Sequence, residues 1–155
     1  MSDKILVKNK AASYNYEIVD KYEAGIKLTG PEVKAIKQGM INLNGSYATV
    51  QYDAKHNPRL VLLNCKISRY RKSGYAQENY DPLRPRQLLL HKRELSNLIG
   101  KLGGKGLTLI PFSVYTKRRL IKLEIALVKG KSQRDKREQI KKRDIDKRIR
   151  QKLRA

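Results

Sequence analysis

Few residues of this 155-residue chain are of types that do chemistry, and they do not assemble into a catalytic pattern. His56 sits in the turn-like "KHNP" and His91 precedes a helical pattern in "LLLHKRE", and neither is joined by Cys, Asp or Glu in a metal-ligand arrangement. The single cysteine, Cys65, lies in the apolar "LVLLNCKI", the setting of a buried inert thiol; it allows no internal disulfide and fits a reducing compartment. Gly25 and Gly30 have a Walker-type separation, but Pro31 stands where a lysine is required, and "GKLGGKG" lacks the GK[ST] order. No cofactor, metal or enzymatic activity is therefore expected. Glu23 is different: an acid in a basic chain, followed by Ala24 and Gly25, whose small side chains let a ligand approach. Its carboxylate suits the amino group of a guanine or cytosine edge, and equally suits a solvated strand position; local pattern leaves both open.

The charge is the strongest global signal. Lys and Arg number 36 against 14 acidic residues, a net +22. Such a field is relieved by a polyanion, RNA or DNA first and an anionic membrane face after them. With 39% apolar residues the chain can bury one core and carry one extension. No stretch approaches the roughly 20 apolar residues of a membrane span, and "MSDKILVKNKAASYNYE" has no secretory apolar run, so a cytoplasmic location without membrane attachment is expected.

The elements that must position these residues follow from periodicity. Tyr22, Ala24, Ile26 and Leu28 alternate as in a half-buried strand. "TGPEVKAIKQG" reads as a two-turn helix, with Gly30 as cap, Pro31 in the first turn and Gly39 as the stop. "SYATVQYD" and "RLVLLNCKIS" form a hairpin about "AKHNP"; Ser68 to Arg86, rich in Tyr, Arg and Pro, is expected to be an exposed loop. Leu95, Leu98, Ile99 and Leu102 mark an amphipathic helix ended by Gly103 and Gly104. "GLTLIPFSVY" and "LIKLEIALV" close an antiparallel hairpin around "TKRR", with Pro111 at a bulge or edge. The sum is a mainly β domain, an antiparallel barrel or sandwich with short helices, over residues 1–128.

Residues 129–155 are a separate unit, with 13 Lys/Arg against four acids. Ile145, Ile149 and Leu153 give a narrow apolar stripe, too small to offset the backbone ordering cost of about 1–2 kcal/mol per residue. The tail is expected to be disordered when free and helical once RNA neutralises it.

The blocks "NKAASYNYEI", "YEAGIKLTGPEVKAIKQG", "NLNGSY", "DPLRPRQLLLHKRELSNLIGKL", "GLTLIPFSVY" and "ALVKGKSQRDKRE" resemble, in order and spacing, those of the tmRNA-binding protein family, also called SsrA-binding protein or small protein B. The resemblance runs from about Lys8 into the tail. It implies an OB-like closed barrel that binds the tRNA-like domain of tmRNA as a monomer, supports its alanylation, and delivers it to ribosomes stalled on mRNA lacking a stop codon. It places RNA contacts at Asn9 and Lys10 in "KNKA", at Glu23 in "YEAG", and at Leu89, in the "LLL" run before the second helix, with His91 and Lys92 just after it and Lys34 and Lys37 of the first helix as phosphate partners. It further implies that Gly130, Lys131, Arg134, Asp135, Lys136 and Arg137 enter the decoding centre and the tail enters the vacant mRNA channel, against small-subunit rRNA. Two departures stand out. His91 replaces a common Asn, and "GKSQRDKR" carries Ser132 in place of a lysine and Arg134 in place of a ring. Without the resemblance, a ribosomal or general RNA-binding protein is the competing reading.

Overall fold

The computed structural model describes residues 4–70, 79–103, 106–130, 141 and 143–151. Among the described residues of the barrel portion, nine strands and three helices follow one another: β1 (Lys4–Lys8), α1 (Lys10–Asn15), β2 (Tyr16–Ile26), α2 (Gly30–Lys37), β3 (Ile41–Asn42), β4 (Tyr47–Tyr52), β5 (Pro58–Leu63), β6 (Lys66–Ile67), β7 (Arg86–Leu89), α3 (Lys92–Leu102), β8 (Leu107–Lys117) and β9 (Leu120–Gly130). The large sheet runs β1-β8-β4-β5-β7-β2-β9, and pairing of β8 with β9 closes a ring in which every pairing is antiparallel. The strand pattern leaves barrel and sandwich open; the closed ring is the barrel, as the resemblance to an OB-like fold implies. A second small sheet pairs β3 with β6.

The β8–β9 hairpin is the frame. Ile121, Leu123, Ile125 and Leu127 alternate into the core, none more than 9% exposed. Its turn is Arg118–Arg119, both at positive φ, as a two-residue hairpin of the right twist demands. Pro111 marks the expected irregularity, the register shifting between Pro111 and Ser113. The bulge lets one strand serve two neighbours: Leu109 pairs with β4, whereas residues 113–116 pair with β1. On the opposite face of β9, Ala126 and Val128 pack with Ala12 of α1 and Ile110 in a second apolar cluster.

Helix α2 is capped by Thr29 rather than Gly30. Thr29 Oγ1 accepts from the Glu32 N–H at 3.4 Å, and the Glu32 carboxylate accepts from the Thr29 N–H at 2.9 Å, a reciprocal box spelled by "TGPE". At its other end Gly39 (φ +77) and Met40 donate back to Ile36 and Ala35, ending the helix where expected.

One expectation fails in an instructive way. Ser68 to Arg86 is not simply an exposed loop, because Arg86 opens β7 fully buried, beside fully buried Glu32. All five guanidinium N–H groups of Arg86 are used: on Glu32 Oε2 at 2.8 and 2.6 Å, on the Cys65 and Pro82 carbonyls at 2.7 and 3.0 Å, and on the Tyr80 hydroxyl at 2.8 Å. Arg84 also donates to Glu32, and the Tyr80 hydroxyl lies 2.8 Å from the Ile67 carbonyl. Burial pushes the Glu32 carboxyl up, but the bonds from Thr29, Arg86 and Arg84 outweigh it and hold it at about 2. Cys65, beneath the cluster, is buried as expected, and burial pushes its thiol up to about 11.

Residues 143–151 are helical. Asp144 and Asp146 each stand four residues before an arginine, Arg148 and Arg150, an arrangement that supports a helix turn by turn. The Arg143 guanidinium also stacks on the Tyr14 ring of α1, 3.7 Å from its centroid. Ile145 and Ile149 remain exposed.

Glu32→Ala should cost about 3–5 kcal/mol in urea unfolding by stranding Arg86, and Glu32→Leu with Arg86→Met should recover most of it. Because the folded-state carboxyl is held below its unfolded value of 4.5, the wild-type contribution is complete above about pH 4.5 and is lost as pH falls towards 2. The double variant should flatten that acid limb.

Candidate RNA-binding face

Strand register lines up a row of outward-facing positions across five strands. Leu89 of β7 stands opposite Gly25 of β2, Gly25 opposite Lys122 of β9, Lys122 opposite Tyr115 of β8, and Tyr115 opposite Ile5 of β1. The next row is Glu23, Glu124, Ser113 and Lys8. Their neighbours Ala24, Leu123 and Val114 face the core, so both rows belong to the outer surface.

The rows hold a concavity of about 360 Å³ lined by Glu23, Gly25, Leu89, His91, Glu94 and Lys122. Leu89 is 45% exposed, unlike Leu88 at 2%, so it offers an apolar surface rather than filling the core. Gly25 leaves the floor open: a Cβ there would stand 3.4 Å from the Leu89 Cβ. Glu23 accepts from the Tyr115 hydroxyl and from Lys117 Nζ at 3.2 Å. The Tyr115 bond above all holds its carboxyl below the usual range, so it is an acceptor throughout neutral and mildly acid pH. His91 is the N-cap residue of α3 and makes no side-chain cap bond; Lys92 follows it, exposed. Together these groups offer a carboxylate acceptor, a cation, an imidazole and an apolar step, suited to an RNA base edge and its backbone.

Asn9 and Lys10 line an adjoining concavity with Lys8, Ser113 and Glu124, which connects them to the Glu23 row. Asn9 is itself committed. It is 8% exposed, its amide donates to the Leu43 and Pro111 carbonyls at 3.2 and 3.0 Å, and its oxygen caps α1 by accepting from the Ala12 N–H at 3.3 Å. These bonds tie α1 to the chain around Leu43 and to β8. Lys34 and Lys37 project from α2, exposed, and neither lines these concavities; Lys34 lies 5.7 Å over the Tyr70 ring. Gly130 ends β9, whereas Lys131, Arg134, Asp135, Lys136 and Arg137 lie outside the described residues.

Lys122, Tyr115 and Glu94 were not singled out by sequence. The signal was present for Lys122, which stands out of phase with the buried Ile121 and Leu123 of a strand already assigned.

The family model for SmpB protein matches residues 6–155. The chain belongs to the SmpB protein family. Among its relatives, the SsrA-binding protein of Carboxydothermus hydrogenoformans is 45% identical over 153 residues, covering 99% of this chain and 98% of that protein. The SsrA-binding protein of Nostoc punctiforme is 49% identical over 140 residues, covering 90% and 86%. A solved chain described as tmRNA-SmpB at the center of the bacterial ribosome superposes with a TM-score of 0.65 at 40% identity, covering 88% of this chain and 94% of that one.

Glu23→Ala and Leu89→Asp should each weaken binding to the tRNA-like domain of tmRNA about tenfold or more, the scale of one lost charge-assisted hydrogen bond or base contact. Both sites are exposed, so melting temperatures should stay close to wild type; filter binding and thermal melts check the pair.

Proposed function

We propose that this chain is the RNA-binding adaptor of trans-translation. It binds the tRNA-like domain of tmRNA, supports its alanylation and brings it to ribosomes stalled on messages without a stop codon. The carrying observation is family membership over nearly the whole chain, on a barrel whose outer face gathers Glu23, Leu89 and His91 in one concavity.

The division of labour follows from where charge sits. The concavity mixes acid, base and apolar groups, which suits recognition of one folded RNA. The tail carries 13 Lys/Arg against four acids and suits a path lined by phosphate. In this proposal Gly130, Lys131, Arg134, Asp135, Lys136 and Arg137 occupy the decoding centre and the following helix enters the mRNA channel, where an intact message would compete for the same path. The tail thereby senses the absence of mRNA. The protein contributes binding and placement, with the chemistry left to its RNA and ribosomal partners, and works in the cytoplasm. Among the described residues no helix is long and apolar enough to cross a membrane.

Tagging of a nascent peptide on ribosomes programmed with a truncated message tests the assignment. Full-length protein with alanylated tmRNA should support tagging, truncation after Lys129 should abolish it, and a message extended well beyond the A site should suppress it for the full chain. Tagging that proceeds without the tail contradicts the channel mechanism.

A further inference from the structure

We propose that the hollow between α1 and the β3–β4 turn takes one unpaired RNA base, a second subsite chemically unlike the Glu23 face; the inference rests on the RNA-binding reading. The hollow measures about 320 Å³, at the lower end of the roughly 300–1,000 Å³ of small-ligand sites, a size for one base with its ribose. Asn15 and Tyr16 line it from one side, Asn44 and Tyr47 from the other, and Thr108 and Ile110 from β8. Among the described residues no charged side chain lines it, so it is built for a neutral group rather than a phosphate.

Its walls are fixed in advance. The Leu43 carbonyl accepts from Asn9 Nδ2 at 3.2 Å, from Ser46 Oγ at 2.5 Å and from the Ser46 N–H at 3.1 Å. Gly45, at φ +78, has its carbonyl held by Asn64 Nδ2 at 3.0 Å. Asn9 thus ties the turn to α1, whose N-terminus it caps. The amides of Asn15 and Asn44 and the hydroxyls of Tyr16 and Tyr47 make no hydrogen bond among the described residues. Tyr47 is 42% exposed. An amide presents a donor beside an acceptor, matching the paired groups of a base edge, and an exposed phenol ring provides a face for stacking.

The surroundings point to nucleic acid. Tyr16 stands opposite Gly130, so the basic tail leaves the barrel beside the hollow. Arg143 returns onto Tyr14 of the same α1. A strand gathered by the tail passes a neutral pocket with unengaged amides; charge collects it and the pocket selects an unstacked base. The base belongs either to tmRNA or to ribosomal RNA.

Full-length wild type, Tyr47→Ala, Tyr47→Phe and Asn44→Ala would be titrated against a tRNA-like-domain transcript and against purified small ribosomal subunits near 0.2 M salt, where diffuse phosphate attraction is weakened. Tyr47→Ala should lose roughly 5- to 100-fold on one of the two, the loss of one base–aromatic stack. Tyr47→Phe should stay within twofold, and the salt slope should not change. The arm that shows the loss names the source. If Tyr47→Ala fails to fold, Asn44→Ala, at an exposed turn position, decides by the same loss. Wild-type binding to both RNAs, with Tyr47→Ala and Asn44→Ala within twofold on each, overturns the pocket. Failure of wild type to bind either RNA overturns the RNA-binding reading itself, and the pocket with it.

Discussion

Glu32 and Arg86 meet in the interior, 54 residues apart in the chain, and their meeting anchors the start of the strand that carries Leu89 to the candidate face. Arg86 opens β7, and β7 meets β2 through only two register pairs, Gly25 with Leu89 and Ile26 with Leu88. On its other edge β7 pairs with β5 at three positions, Arg86 with Leu62, Gln87 with Val61 and Leu88 with Leu60. The guanidinium holds the start of β7 to α2, to the Cys65 carbonyl and to the Tyr80 loop at once, and three residues later Leu89 emerges over Gly25. A buried ion pair rarely adds much net stability against a well-packed apolar substitute; its contribution here is direction, five donors in a rigid plane.

What could be read from the sequence, and what could not, divides along the same line. The β8–β9 hairpin, the Pro111 bulge, helices α2 and α3 and the buried Cys65 all follow from local pattern, because each is decided by neighbours within a dozen residues. Arg86 could not be placed that way. An arginine among prolines and tyrosines reads as solvated until its distant carboxylate is known. Thr29 is legible through its box with Glu32, but Gly30, with its conformational freedom, is the louder signal. Asn9 shows a different limit: the resemblance marks it as an RNA contact, while its amide is spent on two carbonyls and its oxygen on a helix cap.

The outer surface separates attraction from selection. A net charge of +22 draws any polyanion, which by itself distinguishes nothing. Selection needs short-range groups at fixed positions, and the candidate face of the barrel offers them: the carboxylate of Glu23, bonded by Tyr115, with Lys122 and Leu89 around the glycine floor. The tail, with 13 Lys/Arg against four acids, carries charge of the kind the proposed phosphate-lined path requires.

The central claim is that the barrel recognises tmRNA and the tail serves the ribosomal step. Its most direct test compares full-length protein with a truncation after Lys129, each binding the tRNA-like domain of tmRNA and an ordinary tRNA of similar length near 0.2 M salt. Preference for the tmRNA domain by both forms, with equal selectivity, is the predicted result. Loss of selectivity on removing the tail, or absence of selectivity in both forms, would contradict it.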